Sequence, residues 1–155
     1  MQRIIRLLFG VCEERPRRAR EDTSMLVLRL GFGATMLFGH GLPKLLSYSE
    51  SAEKFPDPIG LGGPLSMALV IFAEFFCSIA LMTGFLTRLA LLPLIFNMGV
   101  ALFVVHGGAE FKVMELALVY LLVYVAVFLH GAGRWSIDEI LLKYVKGKYA
   151  SGQHG

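Results

Sequence analysis

Four long apolar segments constrain what this chain can fold into more than any other feature of its sequence. Each approaches the roughly 20 residues that an α-helix needs to cross a bilayer. Only 17% of the residues are charged and the mean hydropathy is +0.63, whereas soluble domains are about 25% charged. A buried soluble bundle is the alternative, but four such segments leave almost no polar face for water. We therefore predict an all-α membrane protein with four transmembrane helices in an up-down bundle, at residues 25–46, 65–86, 89–105 and 113–129.

The basic residues lie mainly on one side of the predicted membrane. Eleven of the 15 lysines and arginines fall in the two terminal segments and in the turn between the second and third spans, whereas the opposite side holds Lys54 and Lys112. Positively charged loops stay in the cytoplasm. We therefore predict a multi-pass protein of the bacterial inner (cytoplasmic) membrane with both termini cytoplasmic. Anionic lipid is a sufficient partner for the excess positive charge, so no nucleic acid is implied.

The same pattern divides the chain into three segments. Residues 1–23 are predicted to form a basic cytoplasmic segment that starts with a short interfacial helix, or else a frayed basic tail. Residues 24–130 form the transmembrane domain, in which Thr87 is expected to cap the third helix. Residues 131–155 form a cytoplasmic tail, whose helix should begin after the N-cap Ser136.

Small residues in the first span predict a close helix contact. Gly31, Thr35 and Gly39 follow one another at steps of four residues, which places them on one face of a helix. Membrane helices associate through such small-residue faces because their backbones can approach closely there. We predict a close-approach seam on this face, which could also join two copies of the chain in a homodimer.

Three basic side chains interrupt the first span, where ionisable groups are costly. Arg29 and His40 are separated by only about 20° around a straight α-helix, and Lys44 lies about 40° further. We therefore predict that all three face the bundle interior. Glu74 in the second span lies at a depth that allows contact with His40 or Lys44, whereas Arg29 is expected to snorkel toward the cytoplasm or to meet Asn97.

Two further polar residues, His106 and Glu115, lie at the outer ends of the third and fourth spans. Together with His40, Lys44 and Glu74, they form a group of ionisable side chains that could bind a polar small molecule or pass protons. A straight helix makes half a turn between Asn97 and His106, so both cannot face inward on such a helix. Tyr120 and Tyr124 lie across the helix from Glu115 and are expected to pack.

Each polar group also has a structural interpretation. Glu74 with His40 or Lys44 can be a clamp that sets the helix register, and His106 can simply lie at the membrane interface. Paired haem ligation by His40 and His106 is a less favoured alternative. The spacing of His40 with Glu74, and of His106 with Glu115, gives no specific support for a metal site.

Three stretches of the sequence form a pattern: LRLGFGATMLFGHGLPKLL (28–46), AEFFCSIALMTGFLTRLALL (73–92) and GAGRWSIDEIL (131–141). Their order and spacing resemble the DoxX family of bacterial membrane proteins. The resemblance implies a four-span inner-membrane protein, and some relatives are subunits of quinone-linked thiosulfate oxidation or members of redox and stress complexes. Relatives with cysteine pairs are not matched, because Cys12 and Cys77 form no CxxC motif. The matching residues are Arg29, Gly41, Lys44, Glu74, Gly84, Arg88, Gly133, Arg134, Ser136 and Asp138.

These observations lead to a functional hypothesis, in which the chain is a membrane subunit that supports quinone-linked redox chemistry. The quinone comes from the resemblance alone. One alternative is a non-enzymatic scaffold that recruits a soluble redox or stress enzyme through its tail, and another is a small-solute carrier that acts as a dimer. We assign catalytic proton chemistry to Glu74 and His40, and ligand binding to Arg29, Lys44, Asn97, His106 and Glu115.

Overall fold

The computed structural model describes residues 19–151, and the side chains of residues 19–145. All regular elements in this part of the chain are helical, and four of the helices are long and apolar enough to cross a membrane. The predicted interfacial helix near the N-terminus lies outside the described residues. The four spans are α1 (Ala19–Leu46), α2 (Gly63–Thr83), α3 (Thr87–Val105) and α4 (Phe111–His130), and a fifth helix follows as α5 (Ile137–Ser151).

The four spans form the predicted bundle, in which each span packs against the next along the chain and α1 closes against α4. Its core consists of apolar side chains from all four helices, whereas other large apolar side chains point outward, as expected where lipid replaces water. The arrangement is that of a multi-pass membrane protein. Fully buried core side chains include Met36, Leu81, Leu91, Leu94, Tyr124 and Val127, and outward-facing ones include Phe38, Phe72, Phe96, Phe103 and Leu129.

The two ends of the bundle differ in their connections. We call the end that carries Ala19, the turn at residues 84–86 and the start of α5 the tail end, and the opposite end the loop end. At the loop end, the long connection after α1 contains one α-helical turn, Tyr48–Ser51, and one 3₁₀ turn, Ala52–Lys54. α2 then begins with Pro64 in its first turn, where a proline costs no hydrogen bond.

The cap of α3 comes from a distant part of the chain. Thr87, predicted as the N-cap, is instead the first residue of α3, and the preceding Leu86 supplies no side-chain hydrogen bond. The carboxylate of Asp138 accepts hydrogen bonds from the backbone N–H groups of Leu86 (2.7 Å) and Thr87 (2.9 Å). The prediction was wrong because an N-cap normally comes from the adjacent residue, and sequence proximity cannot reveal a cap that arrives through tertiary folding.

Three of the spans contain a π-helical segment: Leu37–Gly41 in α1, Phe72–Cys77 in α2 and Ala101–Val105 in α3. A π turn holds more residues than an α turn, so it changes which side chains share a face beyond it. Angles calculated for a straight α-helix therefore do not hold across these segments. The segments of α1 and α2 also pack against each other, which brings two irregular turns together in the middle of the bundle.

The close contacts of α1 lie on a different face from the predicted seam. A Cβ added at Gly31 or Gly39 would meet nothing within 4 Å, and Thr35 is exposed. A Cβ at Gly33 would lie 3.3 Å from the Ser78 carbonyl oxygen, and one at Gly41 would lie 2.6 Å from that of Glu74. The predicted seam is therefore not the contact face within the bundle. The spacing of the glycines shows that they share one face of α1, but it does not show whether that face points toward the other helices.

Candidate functional site

Glu74 is the centre of a polar network inside the bundle. It lies in the π-helical segment of α2 and is only 4% exposed. Its Oε2 atom accepts a hydrogen bond from Lys44 Nζ at 2.6 Å, and its Oε1 atom accepts one from Asn97 Nδ2 at 3.0 Å. Both carboxylate oxygens are thus held, by α1 on one side and by α3 on the other. The predicted contact of Glu74 with Lys44 is confirmed.

A close backbone contact positions this network. Gly41 ends the π-helical segment of α1 and lies directly against the backbone of Glu74 and Phe75, where any side chain would collide. Lys44 follows Gly41 by three residues, so it projects from the next turn toward the Glu74 carboxylate. The GHGLPK stretch therefore works as a unit, in which the glycine brings the helices together and the lysine supplies the cation.

The charges in the network balance each other. The Lys44 and Glu74 side chains are 27% and 6% exposed, so the pair is largely removed from water. Unpaired charges are very unfavourable in a membrane interior, and removal of one partner from a buried pair typically costs about 3–5 kcal/mol. A clamp that fixes helix register would satisfy these contacts equally well, so the surroundings of the network decide whether it can also act on a ligand.

Those surroundings form a large cavity of about 1010 Å³, bounded mainly by α2 and α3 and also by residues of α1, α4 and the loop after α1. Its walls are mostly apolar, and several of the wall residues are exposed on the outer surface of the spans, including Phe72 and Phe96. Glu74, Lys44 and Asn97 all contribute to the lining. The polar network therefore borders a space that reaches the lipid-facing surface.

His40 and His106 also line the cavity. His40 is partly buried, and its ring meets that of Tyr120 edge-on with a centroid distance of 6.1 Å. Glu74 bonds to Lys44 and Asn97 rather than to His40. His106 lies at the end of α3, just after its π-helical segment, so Asn97 and His106 both line the cavity despite the half-turn separation predicted for a straight helix.

Two predicted site residues lie elsewhere. Glu115 is exposed on α4 and does not line the cavity, and α4 contributes Tyr120 instead. Sequence reasoning treated this tyrosine as a packing residue, and its aromatic character alone gives no signal of a cavity position. Arg29 does not meet Asn97, because it lies near the tail end and bonds to a different partner.

Arg29 belongs to a second polar cluster, which locks the tail end. Its side chain is 0% exposed, and Nη2 donates a hydrogen bond to the Trp135 carbonyl oxygen. Asp22 Oδ1 accepts a hydrogen bond from the Arg134 backbone N–H at 2.9 Å. Ser136 Oγ donates to the Gly133 carbonyl oxygen at 2.7 Å and accepts from the Glu139 N–H at 3.2 Å, which confirms its predicted N-cap role.

Gly84 makes room for this cluster. It ends α2 with φ of 70°, a left-handed conformation that glycine adopts without strain. A side chain there would collide with the Arg29 guanidinium and with Ser136. The carbonyl oxygen of Gly84 accepts a hydrogen bond from the Asp138 N–H at 2.9 Å. The turn after α2 and the start of α5 therefore close over Arg29 together.

Comparison with known proteins places these features in one family. The DoxX family model matches residues 24–107, a range that contains Glu74, Lys44 and Asn97; the motif at residues 131–141 lies beyond it. An uncharacterised protein of Haemophilus influenzae is 28% identical over 128 residues, which cover 77% of this chain and 84% of that relative. No solved structure gives a significant match. Since the family match extends over more than half of a chain with four apolar spans, the protein belongs to the DoxX family.

Proposed function

We propose that this chain is an integral membrane subunit that binds the headgroup of a membrane quinone beside Glu74 and supports quinone-linked redox chemistry. The observation that carries the proposal is the position of a buried polar network at the wall of an apolar cavity that reaches the lipid-facing surface. Ligand pockets commonly combine an apolar lining with a few convergent polar groups. A ligand with an apolar tail and a polar ring matches that combination.

The residues of the cavity fit such a ligand at both ends. Phe72 and Phe76 of α2 and Leu92 and Phe96 of α3 line the cavity and are exposed on the outer surface, so an isoprenoid tail can enter from the lipid without crossing water. Glu74 lies deeper, with its two hydrogen-bond donors. The fit supports quinone as a class, because a quinone combines an apolar tail with ring oxygens that accept hydrogen bonds.

The chemistry assigned to the chain concerns protons and hydrogen bonds. A bound quinone supplies ring carbonyls that take up electrons and protons on reduction. Lys44 and Asn97 can donate hydrogen bonds to a carbonyl oxygen, and Glu74 can hold or release a proton between them. His40 and His106 line the same space and are suited to exchange protons with the surroundings.

The remaining parts of the proposal concern location and partner. We infer that the tail end faces the cytoplasm of a bacterial inner membrane, because the basic residues are concentrated there. We also infer that electrons arrive from a soluble or membrane-bound redox partner, as the resemblance to subunits of quinone-linked oxidoreductases implies. These inferences rest on charge distribution and on the family.

Quinone binding to the purified protein in lipid nanodiscs tests the proposal. The Glu74→Gln variant, compared with the wild type at equal amounts of folded protein, should lose quinone binding and quinone-dependent turnover in membranes. Glu115→Gln is the matched control, since it makes the same change on an exposed surface outside the cavity. Unchanged binding and turnover in Glu74→Gln would contradict the proposal.

A second pair of variants separates the loss of a polar group from a loss of space. Val70 lines the cavity, whereas Val119 is exposed on α4 outside it. Val70→Trp should fill part of the cavity and weaken quinone binding, and Val119→Trp should leave it unchanged. Equal binding by the two tryptophan variants would show that the cavity is not the quinone site.

A further inference from the structure

The fifth helix presents an apolar stripe that nothing in the bundle covers. Ile137, Ile140, Leu141 and Tyr144 are all exposed, and Ile140 and Tyr144 are 66% and 72% exposed. Their spacing of three, four and seven residues places them on one face of α5. α5 makes no extensive contact with the four spans. An isolated helix of this length is only marginally stable in water. We therefore expect another surface to cover the stripe.

The start of α5 is held at the boundary of the spans. Asp138 is buried and caps the first turn of α3, and Arg29 holds the backbone at Trp135. The Trp135 side chain itself is 65% exposed. Tryptophan is enriched at membrane–water interfaces. α5 therefore emerges at the level where the hydrocarbon region ends, with an interfacial aromatic residue beside its first turn.

The charges of this segment are predominantly positive. After Glu139 the chain contains Lys143, Lys146 and Lys148 and no acidic residue. Glu139 lies near Lys143, with 3.8 Å between the Oε1 and Nζ atoms, and Lys143 remains 67% exposed. Lysines beside an apolar helical face are typical of helices that lie on anionic lipid.

We propose that α5 lies along the membrane surface at the tail end, with the stripe of Ile137, Ile140, Leu141 and Tyr144 in the headgroup region of anionic lipid. The occupant is lipid rather than a soluble protein, because the helix starts at the bilayer boundary and combines exposed apolar side chains with unbalanced positive charge. This inference concerns the tail and is independent of the quinone site.

A fluorescence experiment tests it, because Trp135 is the chain's single tryptophan. In a Trp135→Phe background, Tyr144→Trp reports on the stripe, and Lys143→Trp is the matched control on the neighbouring polar face. Each full-length variant is reconstituted in nanodiscs of phosphatidylcholine mixed with phosphatidylglycerol. Quenching is measured with lipids brominated along the acyl chain and with aqueous acrylamide.

The two reporters should respond in opposite ways. The Tyr144→Trp reporter should lose most of its fluorescence to brominated lipid and resist acrylamide, whereas the Lys143→Trp reporter should be quenched by acrylamide. Replacement of phosphatidylglycerol by phosphatidylcholine, or high salt, should reduce the quenching by brominated lipid. An Ile140→Trp reporter should repeat the Tyr144→Trp result.

A different pattern would overturn the proposal. If the Tyr144→Trp and Ile140→Trp reporters are quenched by acrylamide as strongly as the Lys143→Trp reporter and not by brominated lipid, the stripe faces water and is free for a soluble partner. Insensitivity of the quenching to anionic lipid and salt would overturn the assignment of anionic lipid as the occupant.

Discussion

The two polar clusters of the bundle bury charge in different ways. At the tail end, Asp138 accepts hydrogen bonds from backbone N–H groups and Arg29 donates to a backbone carbonyl. Around Glu74, both carboxylate oxygens are held by side chains of other helices, beside a cavity. Backbone partners cannot leave without local unfolding, whereas side-chain partners can turn toward a ligand. The comparison supports the proposal that the Glu74 network binds a ligand, whereas the tail-end cluster has a structural role.

The largest effect on stability is expected at the tail end. Asp138→Ala should lower the free energy of unfolding by roughly 2–6 kcal/mol, because it leaves the backbone N–H groups of Leu86 and Thr87 without their acceptor, at about 1–3 kcal/mol for each. Denaturant unfolding of the protein in detergent micelles measures the change. Quinone binding should persist under conditions in which the variant remains folded.

Glu139→Ala is the control for that experiment. It changes an acidic residue adjacent in sequence whose pairing with Lys143 spans 3.8 Å on the surface, and such pairs contribute about 0.3–0.5 kcal/mol. If folded Asp138→Ala lost quinone binding without losing stability, the tail-end cluster would have a role in binding rather than in structure.

A smaller loss of stability is expected from Gly41→Ala. The added methyl group would meet the backbone of Glu74 and Phe75 at 2.6–2.8 Å, so α1 and α2 must move apart at a cost of roughly 1–3 kcal/mol. The shift should lengthen the distance from Lys44 to Glu74 and weaken quinone binding. Gly39→Ala, at an open position two residues away, should be neutral or slightly stabilising in the same unfolding measurement. Equal results for the two variants would show that the helices do not depend on this contact.

The smallest effect is expected in the loop that borders the cavity. Hydrogen bonds from the Gly62 N–H, the Ser66 hydroxyl and the Leu61 N–H hold the pKa of the Asp57 carboxyl below its ordinary value of 3.8. Because folding favours the ionised form, its contribution to stability is present above pH 3.8 and is lost as the pH falls through the lowered pKa.

Thermal unfolding followed over acidic pH measures this contribution. Asp57→Asn should reduce the fall in stability between neutral and strongly acidic pH, whereas Glu53→Gln in the neighbouring exposed turn should not. The connecting loop also supplies Phe55 and Pro58 to the cavity wall, so quinone binding should weaken at acidic pH in the wild type. If the stability of Asp57→Asn falls with pH as steeply as that of the wild type, ionised Asp57 does not stabilise this loop.

Predictions from the depth of a residue along a helix and from its direction around the helix each succeeded in part. The contact between Lys44 and Glu74 was expected from depth, which depends only on the rise per residue. The contact of Arg29 with Asn97 was also expected from depth, and it is absent. The half turn between Asn97 and His106 was expected from helical phase, yet both residues line the cavity. Phase depends on every turn between two residues, and the π-helical segments alter it without a recognisable signature in the sequence.

Short segments of the chain were enough to predict the four spans, the N-cap at Ser136 and the burial of charge at Glu74. Apolar length, local capping and the cost of an unpaired charge in lipid are all properties of such segments. Three features became known from the folded structure alone: Asp138 caps α3, Arg29 supports the tail end, and the Glu74 network borders a cavity. Each of these features joins residues far apart in the chain, and their meeting depends on how the helices pack and on where π turns rotate their faces.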